Sequence, residues 1–346
     1  MAKKCPENPK PAERVSRWRR SAFSVLRILL LVAAALSILG LYVAQPTCRA
    51  SSPTVHSVAP ERLKTHVRKL SVDFRPRNFE NVQNLDRVAE YIKRHFDAAG
   101  AETEFQPYTL KHDQDNVYRN VIGRFGKGNR KRFIIGGHYD AFDDLPGADD
   151  NASAVAGLIE LAYLLGPAAD SLNVDVELVA YTLEEPPFFS SSQMGSAVHA
   201  KSVAPEKDRI IGVIVFEMIG YFSDAPDSQS HPTPLLKLIY PSRGNFIAVV
   251  SNTESRPFTG EVKRRMQGAT DLPVYSINAP PALPGIDFSD HASYWPHKIP
   301  AVMITDTAFY RNKAYHTEND TYDRLDYEKM AKVVLSIFEA IKGWEQ

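Results

Sequence analysis

Three stretches of this chain bring together side chains able to bind a divalent cation and move a proton. An apolar run, Phe133-Ile-Ile-Gly-Gly, delivers His138 and, two residues on, Asp140. Gly147-Ala-Asp149-Asp150-Asn151 follows, and a second apolar run over 174–183 ends in Glu184-Glu185. Two further pieces carry Glu217, in Val215-Phe-Glu-Met-Ile-Gly220, and His316, in Tyr315-His-Thr-Glu-Asn-Asp320. His138, Asp149, Glu185, Glu217 and His316 are the candidate metal ligands. Three carboxylates and two imidazoles are a hard-to-borderline donor set that suits Zn²⁺ and also accommodates Mn²⁺ or Co²⁺. The chain has only two cysteines, so a hydrolytic metal site must be built from His, Asp and Glu. Charge argues for two ions. Three carboxylates crowded beside Asp140 and Glu184 repel one another, and two divalent cations offset most of that repulsion. A carboxylate-bridged pair is the arrangement of two-metal hydrolases.

Glu184 is the candidate general base: beside a ligating Glu185 it can face a metal-activated water, take its proton and pass it to a leaving amine. Asp140 points to the same side of an extended chain as His138 and can orient its imidazole. Asp290, in Ser289-Asp-His291, is the matching candidate for His316. Each piece alone has an ordinary reading. A Glu-Glu pair at a strand end is usually solvated, and Asp149-Asp150-Asn151 would serve as a helix N-cap. Glu217 beside an apolar strand is harder to dismiss, because burying an unpaired carboxylate is costly. His291 and His297 read as structural. The conjunction in chain order is what points to a site.

The elements that must carry these residues alternate. A helix is predicted from Asn78, with Val82, Leu85, Val88, Ala89, Ile92 and Phe96 on one stripe and Gly100 as its stop. Strands follow at 102–110, 117–125 and 132–136, the last two joined by a hairpin turn over 126–130. Then come a helix over 151–165, a strand over 174–183, a short helix over 192–200 and an almost wholly apolar strand over 210–218. Residues 223–245 read as loop. Short strands at 246–251, 274–277 and 301–305 precede a closing helix over 326–344. The alternation implies one α/β domain over 78–346, a three-layer α/β/α arrangement with a mixed, largely parallel central sheet. Ligands bind such sheets at the carboxyl ends of the strands. Pocket walls are expected from 190–196, 222–245 and 278–288.

Residues 1–21 are basic, and 22–44 are long and apolar enough for a membrane span if Arg27 reaches the headgroups. The positive excess before the span predicts a cytoplasmic N-terminus and a domain outside, periplasmic or extracellular. The rival is a cleaved signal peptide and a secreted product, against which Tyr42, two residues before Ala44, makes a poor cleavage site. Residues 45–77 read as linker. Zero net charge gives a nucleic-acid partner no electrostatic support. Cys5 and Cys48 flank the apolar segment, and the rest of the chain has no cysteine. Nothing sets an oligomeric state.

Together, Gly136-Gly-His-Tyr-Asp140, Gly147-Ala-Asp-Asp-Asn-Ala152, Glu184-Glu185, Glu217-Met-Ile-Gly220, Ser289-Asp-His291 and Tyr315-His-Thr resemble metallopeptidase family twenty-eight, over roughly residues 80–345. The resemblance implies a zinc-peptidase fold and a two-zinc exopeptidase acting on peptides, most simply an aminopeptidase, membrane-anchored in this branch. His138 and Glu217 would hold one zinc, Glu185 and His316 the other, and Asp149 would bridge them. Glu184 would be the base. A cis peptide between Asp149 and Asp150 is also implied. Position 217 is Glu where Asp is usual, and Ile286 stands where some members place an oxyanion-stabilising Tyr. The alternatives are a one-zinc glutaminyl-cyclase-like acyltransferase and a non-catalytic binding ectodomain.

Overall fold

The structure, a computed structural model, describes residues 11–344, with side chains from Phe23 onward. Cys5 lies outside the described residues. The chain divides into two units, Met1–Ala44 and Gln45–Gln346. The first holds one helix, α1 (Pro11–Ala44). Its stretch Phe23–Ala44 has 22 residues and is apolar enough to cross a membrane. At 1.5 Å per residue it spans about 33 Å, roughly a bilayer core.

The second unit begins with α2 (Pro60–Arg68), continued by a wide helical turn over Lys69–Asp73. Next are α3 (Val82–Ala98), β1 (Glu102–Leu110), β2 (Asp113–Phe125) and β3 (Arg132–His138). Then come α4 (Ala154–Ala168), β4 (Asp175–Tyr181), α5 (Gly195–Val203) and β5 (Ile210–Glu217). The remainder is β6 (Ile247–Ser251), α6 (Arg256–Met266), β7 (Val274–Asn278), β8 (Ala301–Thr305) and α7 (Tyr327–Lys342). One eight-stranded sheet runs in the order β1-β2-β4-β3-β5-β8-β6-β7. The pairs β3–β4, β3–β5, β5–β8 and β6–β7 are parallel and the other three antiparallel, so the sheet is mixed with a parallel centre. Every residue of β4, β6 and β8 is buried. That is what helices on both faces of a parallel sheet require, and it explains their unbroken apolar sequence. Edge strand β1 alternates between exposed and half-buried residues instead.

Two local expectations are corrected. The hairpin over 126–130 does not form: β4 lies between β2 and β3, so Phe125 pairs with Val176 and Phe133 with Val176 and Gly212. The expected linker over 45–77 carries α2, whose Leu63 and Val67, with Leu70 just beyond, are fully buried in the main core. Residues 50–54 also hydrogen-bond to the backbone at the end of α6. The stretch 252–273, to which the sequence assigns no element, contains α6 (Arg256–Met266). That helix buries Phe258, Val262 and Met266 at a spacing of four.

Candidate metal centre

Strand β3 lies between β4 and β5, so the carboxyl ends of three neighbouring parallel strands meet. His138 ends β3, Glu184 and Glu185 lie just past β4, and Glu217 ends β5. The backbone there is strained. Leu183 has φ +60°, Met218 φ +52° and His316 φ +54°, in each case a left-handed conformation on a non-glycine residue at or beside a candidate ligand. Such conformations cost about 1–3 kcal/mol each and persist where the surroundings over-determine them.

Two nests of donor atoms share one carboxylate. Asp150 Oδ1 is 3.4 Å from His138 Nε2, and Asp150 Oδ2 is 3.0 Å from His316 Nε2. Glu217 Oε2 lies 3.4 Å from His138 Nε2, and Glu185 Oε2 lies 3.2 Å from His316 Nε2. Glu184 Oε2 stands 3.8 Å from His138 Nε2. Asp140 approaches His138 Nδ1 at 3.4 Å, and its two oxygens accept the backbone N–H groups of Glu184 and Glu185. One carboxylate thus orients the imidazole and holds the Glu-Glu turn. Ser289 Oγ and Asn151 Nδ2 both donate to Glu217 Oε2, at 2.8 and 3.2 Å. The His316 ring is stacked between Phe142 and Tyr315, with centroids 4.2 and 3.8 Å away.

The expected bridge, Asp149, is not in this cluster. Its Oδ1 accepts the Gly220 N–H at 3.0 Å and its Oδ2 accepts from Asn312 Nδ2 at 2.8 Å, so both oxygens are already engaged behind the site. Asp150 occupies the shared position. The cis peptide is correspondingly one residue further along, at Asp150–Asn151 rather than Asp149–Asp150. Asp290 also departs from expectation. It is fully buried, and the positive charge opposing the upward push of burial, to about 7, is that of His138 rather than His316. Sequence reasoning gave no role to Asp320, whose carboxylate accepts the Asp149 and Asp150 backbone N–H groups at 3.1 Å. Its place four residues after His316 was the available signal.

The residues fit a divalent cation. His138 Nε2, His316 Nε2 and Glu185 Oε1 are buried without a hydrogen-bond partner, which is costly unless something else occupies their lone pairs. Burial, opposed by His138, pushes the Glu184 and Glu217 carboxyls up, and burial with the Asp150 charge takes Glu185 to about 8. A bound cation reverses that preference and keeps such carboxylates ionised.

The cluster floors one end of a cavity of about 330 Å³. Glu184 faces into it, and its far walls are apolar: Phe246, Val250, Ile277, Ile286, Phe288 and Met303. The segments expected at 222–245 and 278–288 contribute. Residues 190–196 do not, while Phe189 does.

The sequence profile of peptidase family M28 matches residues 120–341, well over half of the chain. An uncharacterized protein of Escherichia coli K12, YfbL, is 47% identical over 298 residues, covering 84% of this chain and 90% of that one. A probable leucine aminopeptidase of Trichophyton verrucosum is 22% identical over 303 residues, 82% of this chain and 73% of the relative. Among solved structures, the LapA aminopeptidase of Legionella pneumophila superposes with a TM-score of 0.64 at 20% identity, over 82% of this chain and 72% of that one. With the sheet, the shared carboxylate and the flanking histidines in place, the chain belongs to peptidase family M28.

Proposed function

We propose that this protein is a two-zinc aminopeptidase, held at a membrane by α1 and hydrolysing peptides at a free N-terminus. The observation that carries this reading is Asp150, with one oxygen toward His138 and the other toward His316. His138, Asp150 and Glu217 would hold one ion, and His316, Asp150 and Glu185 the other. Bound zinc supplies Lewis acidity and brings water toward a pKa of about 7. The chain's own groups do the rest. Glu184, facing the cavity, accepts a proton at its carboxylate and returns it to the leaving amine. Asp140 fixes the His138 ring, so that Nε2 presents its lone pair to the ion. Ser289 and Asn151 hold the Glu217 carboxylate by two hydrogen bonds. The apolar cavity takes the side chain of the residue released and excludes water around it.

The second, complete ligand set on the His316 side supports this reading over the one-zinc cyclase alternative. The test uses the purified full chain, its zinc counted by elemental analysis, with assays on aminoacyl and N-blocked peptides. Two zincs and cleavage of free-amine substrates alone are expected. Substrates with Leu or Phe first should exceed those with Asp or Lys by about 100-fold or more, because a charge in this cavity loses several kcal/mol of hydration. One zinc, with cyclisation of N-terminal Gln and no peptide cleavage, would move the assignment to the cyclase class.

The basic residues before the apolar stretch support a cytoplasmic N-terminus with the catalytic unit outside. Membrane fractionation with an intact mass that retains residues 1–44 is the expected result. A soluble product starting beyond Ala44 would show a cleaved signal instead.

A further inference from the structure

Arg77 lies outside the stretch matched by the family profile, in a segment whose sequence reads as linker, and it is completely buried. Its planar guanidinium is spent entirely on backbone carbonyls. Nε donates to Tyr139 O at 3.0 Å, and Nη1 donates to Leu70 O at 3.1 Å and Pro146 O at 2.7 Å. Nη2 donates to Gly147 O. In return Arg77 O accepts the Ala141 N–H at 3.1 Å. These partners are placed with respect to the metal centre. Tyr139 sits between His138 and Asp140, and Pro146-Gly147 lead into Asp150. The approach is close enough to require glycine. Gly147 has φ +55°, and a Cβ there would lie 2.9 Å from Arg77 Nη2 and 2.3 Å from Asp150 O. Two residues upstream, Arg75 donates to Asp144 O and, at 2.8 Å, to both carboxylate oxygens of Glu318, two residues past His316. The segment 75–77 therefore touches two of the stretches that carry candidate ligands, the loop leading into Asp150 and the loop holding His316.

We propose that Arg77 is a positioning residue for the metal centre, fixing the loop 139–150 so that Asp140 and Asp150 are in place before an ion binds. No other side chain offers five donors in a rigid fork; Lys has three on a flexible stem and cannot span the same four carbonyls. The inference rests on the reading of the cluster as a zinc site, and it extends the functional unit upstream to α2.

The test compares wild type with Arg77→Lys as full chains. Zinc affinity is measured by chelator competition and the thermal midpoint on metal-free protein. A fall in zinc affinity of about 10–100-fold is expected, the size typical of residues that orient ligands. A lower midpoint with unchanged zinc affinity would make Arg77 a stability residue only and overturn the proposal. Wild type that binds no zinc would sink the zinc reading itself, and this inference with it. Should the Lys variant not fold, hydrogen exchange on zinc-stripped wild type decides. Protection of the Ala141 and Ala148 amides equal to that of β3 is expected. Rapid exchange that slows only on adding zinc would show that the ion orders the loop, and would overturn the proposal.

Discussion

Replacing Glu184 with Gln is expected to lower kcat on aminoacyl substrates by about 10²–10⁴-fold, the usual contribution of a positioned proton-transfer group. The substitution keeps shape and burial but removes the ability to accept a proton. Glu184 stands 3.8 Å from His138 and lines the cavity, whereas the shorter contacts to the two histidines come from Asp150, Glu185 and Glu217. Zinc content should therefore stay at the wild-type level. Its backbone N–H still donates to Asp140, so the turn keeps its geometry. Steady-state kinetics and elemental analysis on the same sample check both halves. A variant that keeps its rate would remove Glu184 from the mechanism, and one that loses its zinc would make it a ligand.

The second large effect separates two adjacent aspartates. Asp150→Asn removes a carboxylate with one oxygen toward each of the two histidines. Zinc affinity should fall by more than about 10³-fold, beyond the 10–100-fold carried by residues that merely orient ligands. Asp149→Asn should cost far less. An Asn oxygen can keep the Gly220 or the Asn312 hydrogen bond but not both, a loss of about 1–3 kcal/mol in stability. Zinc affinity should change by no more than about 10-fold, because the Asp149 oxygens are taken up by Gly220 and Asn312, whereas the contacts to the two histidines come from Asp150, Glu185 and Glu217. Chelator competition and denaturant unfolding on both variants give the two numbers. The reverse order would restore Asp149 as the bridge.

That pair also shows where sequence reading runs out. His138, Glu184, Glu185 and Glu217 stand out in the sequence because each ends or follows an apolar strand, and strand ends converge in an α/β sheet; the structure brings them together with His316. Which of two neighbouring Asp residues turns inward is not periodic information. It is set by Gly147 in the left-handed region, by Asp320 catching two backbone N–H groups from about 170 positions away, and by Asn312 and Gly220 holding Asp149. The central strands were legible because burial on both faces demands unbroken apolar runs. Their order was not: nothing local to β2 or β3 says that β4 will lie between them. α2 was readable in principle, since Pro60 begins it and Leu63, Val67 and Leu70 recur at helical spacing. Its short length and the prolines around it masked the signal.

Two zinc ions, as proposed above, would sit on either side of Asp150. The most direct measurement is a zinc-edge anomalous difference map from crystals of the zinc-loaded protein. Two peaks are expected, one beside His138 and Glu217 and the other beside His316 and Glu185, with Asp150 between them. A single peak, or a pair flanking Asp149, would contradict the proposal.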